Sequence, residues 1–349
     1  MIRLGIVGSN YGRSVQLPAF RADPRCQVVA IAGSDAARTA ELARAVNVPK
    51  AHTGWRTLVE DPDVRAVAIA TLPSLQPQIA SAALALGKPV FAEKPLANTL
   101  EAARAMLQAA ERAQKPTMVD FNFPQVLAWQ RAKDMLASGV LGRLRHIAVH
   151  WQIENRSVQQ RLRNWKTLGA SGGGVLGNFV SHCFYYLEWF AGPIAALSAQ
   201  ISGLHDDPAL ETTAVLALRF QSGMPASLSM SCASLAGLGH RIEFYGEDGT
   251  LVLHNPTLDY MRGFELTLTT RAAAQVRVPV NDPIDAQYPD GRIAPVSRLA
   301  KLWFDAIEKG GVCKPGFAEG YRVQQLIDAA RRSHTQGRRI DITPKEASA

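Results

Sequence analysis

Glu93, Lys94 and Pro95 interrupt the apolar run Val90-Phe91-Ala92 in the stretch VFAEKPLA, residues 90–97. A turn needs no adjacent acid and base. A lysine whose surroundings hold its proton weakly can take or give one, and a carboxylate beside it can orient neighbouring groups. Pro95 fixes the turn, and a cis Lys94–Pro95 bond is one way to do so. Farther on, ASGGGVLGNFVSHCFYYLEWFAG, residues 170–192, begins as a glycine run and continues with helical spacing. Asn178 and His182 stand four apart, which puts them on one helix face. The imidazole titrates near neutrality and can relay a proton, while the amide exchanges hydrogen bonds without holding charge. Beside Cys183, Phe184 and Tyr185, a hydrogen-bonded core histidine fits the same residues.

The elements that must carry these groups change character along the chain. Up to about Asp120, short apolar runs (3–7, 27–31, 66–70, 89–92 and 117–120) alternate with amphipathic segments such as 36–45, 76–86 and 100–113. That alternation predicts βαβ units and a doubly wound parallel sheet. After Pro124 a helix over 125–137 leads into a strand over 144–152, and mostly strands follow the glycine-rich helix start. PASLSMSCA, residues 225–233, alternates Ala, Leu, Met and Cys with Ser, the period of a strand with one buried face. RIEFY and TLVLH flank Gly246-Glu247-Asp248-Gly249, a hairpin signal. Helices return over 297–309 and 319–336, followed by a strand-like tail over 339–342. The expected fold is α/β: a doubly wound parallel sheet, then an α+β domain with a large, mostly antiparallel open sheet.

GIVGSNYG, residues 5–12, joins the first strand to the first helix, where a dinucleotide's pyrophosphate meets helix-terminal N–H groups. Gly8 permits the tight turn. Asn10 takes the place of the second glycine of G-x-G-x-x-G, and Gly12 is one residue off the strict spacing. Asparagine tolerates left-handed backbone, which lets the turn survive with Asn10 in it. Beyond the second strand, Ser34 and Arg38 offer a hydroxyl and a guanidinium to a ribose 2′-phosphate, which favours NADP(H). Asp35 as a ribose acid keeps NAD(H) as the alternative. At the C-terminal end of a parallel strand, Lys94 projects into the ligand crevice at the nicotinamide end. A carbinol oxidised there must also lose a proton, and a lysine near a cationic ring can help to take it.

At 349 residues the chain is long enough for two domains, and 47% hydrophobic with 19% charged is ordinary for a folded protein. No signal peptide or membrane-spanning run is evident, so a cytoplasmic protein is expected. Cys26, Cys183, Cys232 and Cys313 are scattered without metal-ligand spacing, and no metal is expected. The formal charge of +8 is spread along the chain, which argues against a nucleic-acid partner.

VFAEKPLA resembles the E-K-P signature of the glucose-fructose oxidoreductase / inositol dehydrogenase / MocA family of NAD(P)-dependent oxidoreductases. The resemblance covers essentially the whole chain: GIVGSNYGRSVQLPAF at the start, ATLPSLQPQIASAALALGKPV before the signature, VDFNF after it, and NWKTLGASGGGVLGNFVSH later. It implies a Rossmann domain over residues 1–122, an α+β substrate and oligomerisation domain over 123–300, and C-terminal helices and tail over 301–349 packing back between the domains. It implies proton transfer by Lys94 and His182 and a substrate hydroxyl oriented by Asn178, which stands where the family often has aspartate. The implied cofactor contacts are Gly8, Ser9, Asn10, Tyr11 and Gly12, then Ser34 and Arg38. Thr71, Leu72, Pro73 and Gln76 follow, Gln76 in place of a frequent histidine. Glu93, Lys94 and Asn122 complete the first domain, where Phe123-Pro124 replaces a usual arginine. In NRSVQQRLRNWK, Trp165 and Lys166 resemble the family's Trp-Arg pair. Arg156, Arg161 and Arg163 read as a solvated loop or as a recognition patch for an acidic substrate.

The resulting expectation is hydride transfer between nicotinamide and a sugar, cyclitol or related polyol carbon. A homodimer or homotetramer through the second-domain sheet is implied by the resemblance. A non-catalytic NAD(P)-binding regulator, or a hydrolase or lyase using transient oxidation with retained cofactor, remains an alternative.

Overall fold

A computed structural model describes residues 1–342, so the last seven residues of the 301–349 segment lie outside the described residues. The chain divides into two units, Met1–Asn122 with Tyr288–Gln324, and Phe123–Gln287 with the residues from Gln325 onward.

The first unit runs β1 (Ile2–Val7), α1 (Leu17–Arg21), β2 (Cys26–Gly33), α2 (Ala36–Ala45), β3 (Lys50–Thr53), α3 (Trp55–Glu60), β4 (Ala66–Ile69), α4 (Gln76–Ala85), β5 (Val90–Ala92), α5 (Leu100–Ala113) and β6 (Thr117–Val119). Its six strands lie parallel in the order β3-β2-β1-β4-β5-β6. β4 and β5 are buried at every position because both sheet faces are covered. The sequence gives no apolar run for β3: this edge strand, Lys-Ala-His-Thr, buries none of its four residues fully. α5 is stopped and started by its caps, the Thr99 hydroxyl accepting the Ala102 amide at 3.1 Å and Gln114 turning left-handed.

In the second unit come α6 (Leu127–Ala137), β7 (Leu144–Gln152), α7 (Arg156–Gln159), α8 (Ser181–Ala191), β8 (Ile194–Leu204), β9 (Asp207–Phe220), β10 (Pro225–Ser231), β11 (Gly239–Gly246), β12 (Gly249–Asn255), β13 (Glu265–Thr270) and β14 (Ala273–Val278). They are followed by α9 (Ile293–Lys309), which belongs to the first unit, α10 (Phe317–Gln336), within which the division falls, and β15 (Ile340–Asp341). The nine-stranded sheet has the order β14-β13-β12-β11-β7-β10-β9-β8-β15. Ala226, Leu228 and Met230 of β10 are buried, and β11 and β12 form the expected hairpin. The sheet is mixed, because β10 pairs antiparallel with β9 but parallel with β7.

Aromatic packing fixes the strand end that carries Lys94. Phe91 of β5 meets Phe20 edge-on at 5.2 Å and Trp303 of α9 at 5.7 Å. The Trp303 indole donates to the Pro116 carbonyl at 3.2 Å just before β6. Each such ring contributes about 1.5–3 kcal/mol by leaving water, and a fully buried Phe91 two residues before Glu93 leaves the chain little freedom there.

Candidate active site

Gly8 follows β1 with φ at +126°, and a Cβ would lie 2.3 Å from the Ala70 carbonyl oxygen, so the position requires glycine. Asn10 does not adopt the left-handed backbone expected for it. Its carbonyl instead accepts the amides of Arg13 and Ser14 at 3.1 and 2.9 Å, which starts a π-wound turn over Gly12–Gln16. Gly8 alone supplies the sharp step. Gly12 serves packing, since a Cβ there would sit 2.8 Å from Ile6 Cγ2.

Ser9, Asn10, Ser34 and Arg38 line one cleft of about 510 Å³ together with Arg13, Gly33, Asp35, Thr39 and Glu41. Asp35 caps α2, its Oδ1 accepting the Arg38 amide at 2.8 Å. The cleft therefore joins the glycine loop to the end of β2, with two guanidiniums for phosphates and a carboxylate for ribose hydroxyls, which fits a dinucleotide. Sequence reasoning missed Arg13. Its signal was a cation one residue beyond the glycine loop.

Lys94 and Pro95 follow β5 through a cis peptide bond. Gln76 is fully buried, and its Nε2 donates to the Pro95 carbonyl at 2.9 Å, bracing this turn from below. At the neighbouring strand ends, Thr71 Oγ1 and Asn122 Oδ1 are buried without a hydrogen-bond partner among the described residues. Leu72 is 46% exposed and Pro73 is buried. Unpaired buried polar atoms beside an exposed aliphatic side chain suit a ligand with polar edges and an apolar face.

Behind Lys94 lies a second acid. The Tyr11 hydroxyl donates to Asp120 Oδ2 at 3.0 Å, and Gln16 Nε2 donates to Glu93 Oε1 at 2.9 Å. The carboxyls of Glu93 and Asp120 are in hydrogen-bond contact. Burial pushes Glu93 well above the usual carboxylate range; the charge of Asp120 raises it further, and Lys94 opposes the rise. Burial raises Asp120 too, and holds the Tyr11 phenol well above its ordinary value with the charge of Asp120 as the next cause. The Arg292 guanidinium stands 5.3 Å from the Tyr11 ring centre. Tyr11 thus reaches an acid as well as flanking the glycine loop. Asp120 escaped the sequence reading because it was counted as the end of a strand.

In the second unit, Asn178 belongs to a π-wound turn over Leu176–Val180, and His182 to the first turn of α8. The wider winding keeps the two residues near one face, and such turns occur often at functional sites. His182 is 7% exposed, and the Phe123 ring stands edge-on to it at 5.0 Å. Phe123 also meets Trp129, Trp151 and His240 at 5.0, 5.4 and 5.2 Å. His240 stacks on Trp151 at 4.2 Å with its Nε2 paired to the Tyr186 hydroxyl at 3.0 Å. Burial lowers His240 to about 3, with the charge of His254 a lesser cause, so it is neutral. An aromatic wall occupies the place where an arginine was the usual residue.

The loop before this helix is held by acids. Arg161 pairs with Asp206 and Arg163 with Asp207, which ties both cations to the β8–β9 turn instead of presenting them as a recognition patch. Lys166 is exposed and lies 5.8 Å from the Trp165 ring centre. The Glu211 carboxylate accepts from Arg331 Nη1 at 2.7 Å, and Arg331 Nη2 donates to the Gly169 carbonyl at 3.2 Å. A Cβ on Gly169 or Gly174 would collide with that carboxylate, so the glycine run is shaped by an ion pair.

Among the described residues no cluster of three or more His, Cys, Asp or Glu is placed to hold a metal, and no helix is long and apolar enough to cross a membrane. Burial pushes all four cysteine thiols up to about 12, which makes them poor nucleophiles.

Residues 2–121 match a model described as an oxidoreductase family with an NAD-binding Rossmann fold, and residues 129–252 match the GFO/IDH/MocA C-terminal domain. An uncharacterized oxidoreductase of Synechocystis sp. is 30% identical over 350 residues, covering 96% of this chain and 94% of that one. Levoglucosan dehydrogenase of Pseudarthrobacter phenanthrenivorans is 25% identical over 394 residues, with 98% of each chain covered. A solved levoglucosan dehydrogenase in complex with NADH and L-sorbose shares the fold at a TM-score of 0.89, with 24% identity, 98% of this chain and 99% of that one. Three of the solved levoglucosan dehydrogenase complexes contain NADH, which overturns the expectation of NADP(H). The physical reason lies at α2: the Asp35 cap puts a carboxylate beside Ser34 and Arg38, and that charge repels a 2′-phosphate.

Proposed function

We propose that this chain, which belongs to the GFO/IDH/MocA family and is an NAD(P)-dependent oxidoreductase, uses NAD(H) to interconvert a hydroxyl and a carbonyl on a sugar, anhydrosugar, cyclitol or related polyol. The relatives that act on levoglucosan, D-apiose and inositol by their names support that class. Gly8, Ser9, Asn10, Arg13, Ser34 and Asp35 would hold the adenosine end, with Thr71, Leu72, Glu93 and Asn122 at the strand ends beyond it. The bound nicotinamide supplies the hydride acceptor or donor. Lys94 moves the hydroxyl proton at its Nζ, His182 moves a proton at its imidazole, and Asn178 orients the hydroxyl through its amide. Gln76 holds the backbone that carries Lys94.

The observation that carries the reading is Lys94 just past the C-terminal end of β5, an interior parallel strand, braced by Gln76 and backed by buried acids. A nicotinamide absorbance screen with NADH, NADPH, NAD+ and NADP+ against sugars, anhydrosugars and inositols tests it, with Lys94→Ala as control. Turnover with NAD(H) that disappears in the variant is expected. Cofactor binding without turnover on any substrate would defeat the catalytic reading. Association through the nine-stranded sheet is part of the same proposal, supported by the exposed Val215, Ala217 and Ser227 on neighbouring strands. Sedimentation of a Val215→Glu variant as a monomer would support it.

A further inference from the structure

We propose that Glu93 and Asp120 share a single proton, and that this half-protonated carboxyl pair is a positioning device that leaves one negative charge, not two, beside Lys94. The argument starts from contacts. Asp120 is 1% exposed, and its Oδ2 is occupied by the Tyr11 hydroxyl. Its Oδ1 is buried with no N–H or O–H donor among the described residues. Glu93 stands in hydrogen-bond contact with it, and Gln16 already occupies Glu93 Oε1. Two ionised carboxylates in contact offer only acceptors to each other and repel; one proton between them turns the contact into a donor–acceptor pair. The cations nearby do not remove the need. Lys94 and Arg292 act on the pair by charge, and the phenol of Tyr11 is itself held protonated, so its hydrogen bond supports one anion and not two.

The backbone fixes this arrangement. The Asp120 amide donates to the Ala92 carbonyl at 2.9 Å and the Glu93 amide to the Ile69 carbonyl at 3.1 Å, so β4, β5 and β6 bring the two acids together as adjacent strand ends. Asp120 acts through Glu93. With the proton in place, Lys94 faces a monoanion; when it is lost, Lys94 faces a dianion that favours its ammonium form and weakens it as a base. The pair therefore sets a pH above which base function declines, while Tyr11, Gln16, Lys94 and Arg292 are the groups whose hydrogen bonds and charges tune that point.

The proton can be read on the cofactor-free protein, independently of the proposed function. Infrared difference spectra between wild type and Asp120→Asn, and between wild type and Glu93→Gln, are expected to show one protonated carboxyl at pH about 6, where ordinary carboxylates are ionised. Either amide replaces the shared proton with an N–H, so each variant should lack the band. A water molecule satisfying Asp120 Oδ1 would leave both acids ionised and give no band, which overturns the proposal. A band that persists in both variants places the proton elsewhere and overturns it as well. Should either variant fail to fold, titration of the wild-type band alone decides, because a band that vanishes within the ordinary carboxylate range near pH 4 contradicts sharing. The effect on Lys94 rests on the function proposed above: the kcat/KM profile should bend at the pH where the band is lost, and Asp120→Asn should lack that bend. If Lys94→Ala keeps full turnover while the band behaves as stated, the role given to Lys94 fails and the shared proton stands.

Discussion

Glu93 and Asp120 in the first unit are surrounded by Tyr11, Gln16, Lys94 and Arg292, groups that carry charge or hydrogen bonds. His240 in the second is walled by Phe123, Trp129, Trp151 and Tyr186, and Phe123 reaches from that wall to His182. Both regions bury ionisable side chains, and burial moves each toward its neutral form: acids up, base down. The means differ. The carboxyl pair is held by hydrogen bonds and nearby charges, whereas the rings around His240 are fixed mainly by packing. The lysine and imidazole proposed to handle protons would have those two needs.

The largest effects should come from the groups proposed to handle protons. Lys94→Ala is expected to lower kcat by about 10²–10⁴-fold, the range for a positioned acid or base, while NADH still binds. His182→Ala is expected in the same range. Fluorescence titration of NADH alongside steady-state kinetics separates the two quantities; equal losses in binding and turnover would make Lys94 a cofactor contact only.

Packing comes next. Phe123→Ala removes a fully buried ring that touches His182, Trp129, Trp151 and His240. A destabilisation of about 3–5 kcal/mol is expected, read in urea unfolding, together with a loss of kcat that Phe123→Leu partly restores. In the first unit Phe91→Ala should cost comparable stability, because that ring packs on Phe20 and Trp303, but it touches neither carboxyl of the Glu93–Asp120 pair directly.

Opposite pH dependences sharpen the contrast. His240 falls from 6.5 unfolded to about 3 folded, so the unfolded chain takes the proton first. The stability it contributes is present above pH 6.5 and is lost as pH falls toward 3. Between pH 6.5 and 4.5 that loss is about 2–3 kcal/mol, and His240→Phe should flatten it. Glu93 and Asp120 are raised on folding, so the folded chain holds more protons. Their contribution is present below the ordinary carboxylate range and is lost as pH rises through the folded value. Asp120→Asn should therefore improve stability at high pH relative to low pH. Urea midpoints of the three proteins across pH 4.5–8.5 check both signs.

Why some of this was legible follows from range. β1, β4 and β5 announce themselves as continuous apolar runs, and α2 and α5 by their periodicity and caps, all within a few neighbours in sequence. Glu93, Lys94 and Pro95 were visible because a charge pair at the end of such a run is anomalous. Asp120 was not. Its partners are 27 residues away at Glu93 and 109 at Tyr11, and only the strand order β1-β4-β5-β6 brings them together. β3 carries no buried pattern to read, and the weight given to Asp35 against Arg38 at the proposed ribose site depends on a cap geometry that sequence leaves open. Likewise, Arg161 and Arg163 looked unassigned because Asp206 and Asp207 lie more than forty residues on.

The smallest predicted effect lies at the glycine run before His182, where the second unit does use charge. Glu211 and Arg331 form a partly buried pair, and the carboxylate fills the space beside Gly169 and Gly174. Glu211→Gln keeps that volume and one hydrogen bond but loses the ion pair, so about 1–2 kcal/mol of stability is expected to go, with KM raised more than kcat is lowered. Gly174→Ala should do more damage than Glu211→Gln, because φ at +64° is unfavourable for alanine and its Cβ would meet the carboxylate at 2.3 Å. If instead Glu211→Gln lowered kcat as severely as His182→Ala, the ion pair would be part of proton handling rather than a support for the loop. The division between a charged first unit and a packed second one would then fail at this point.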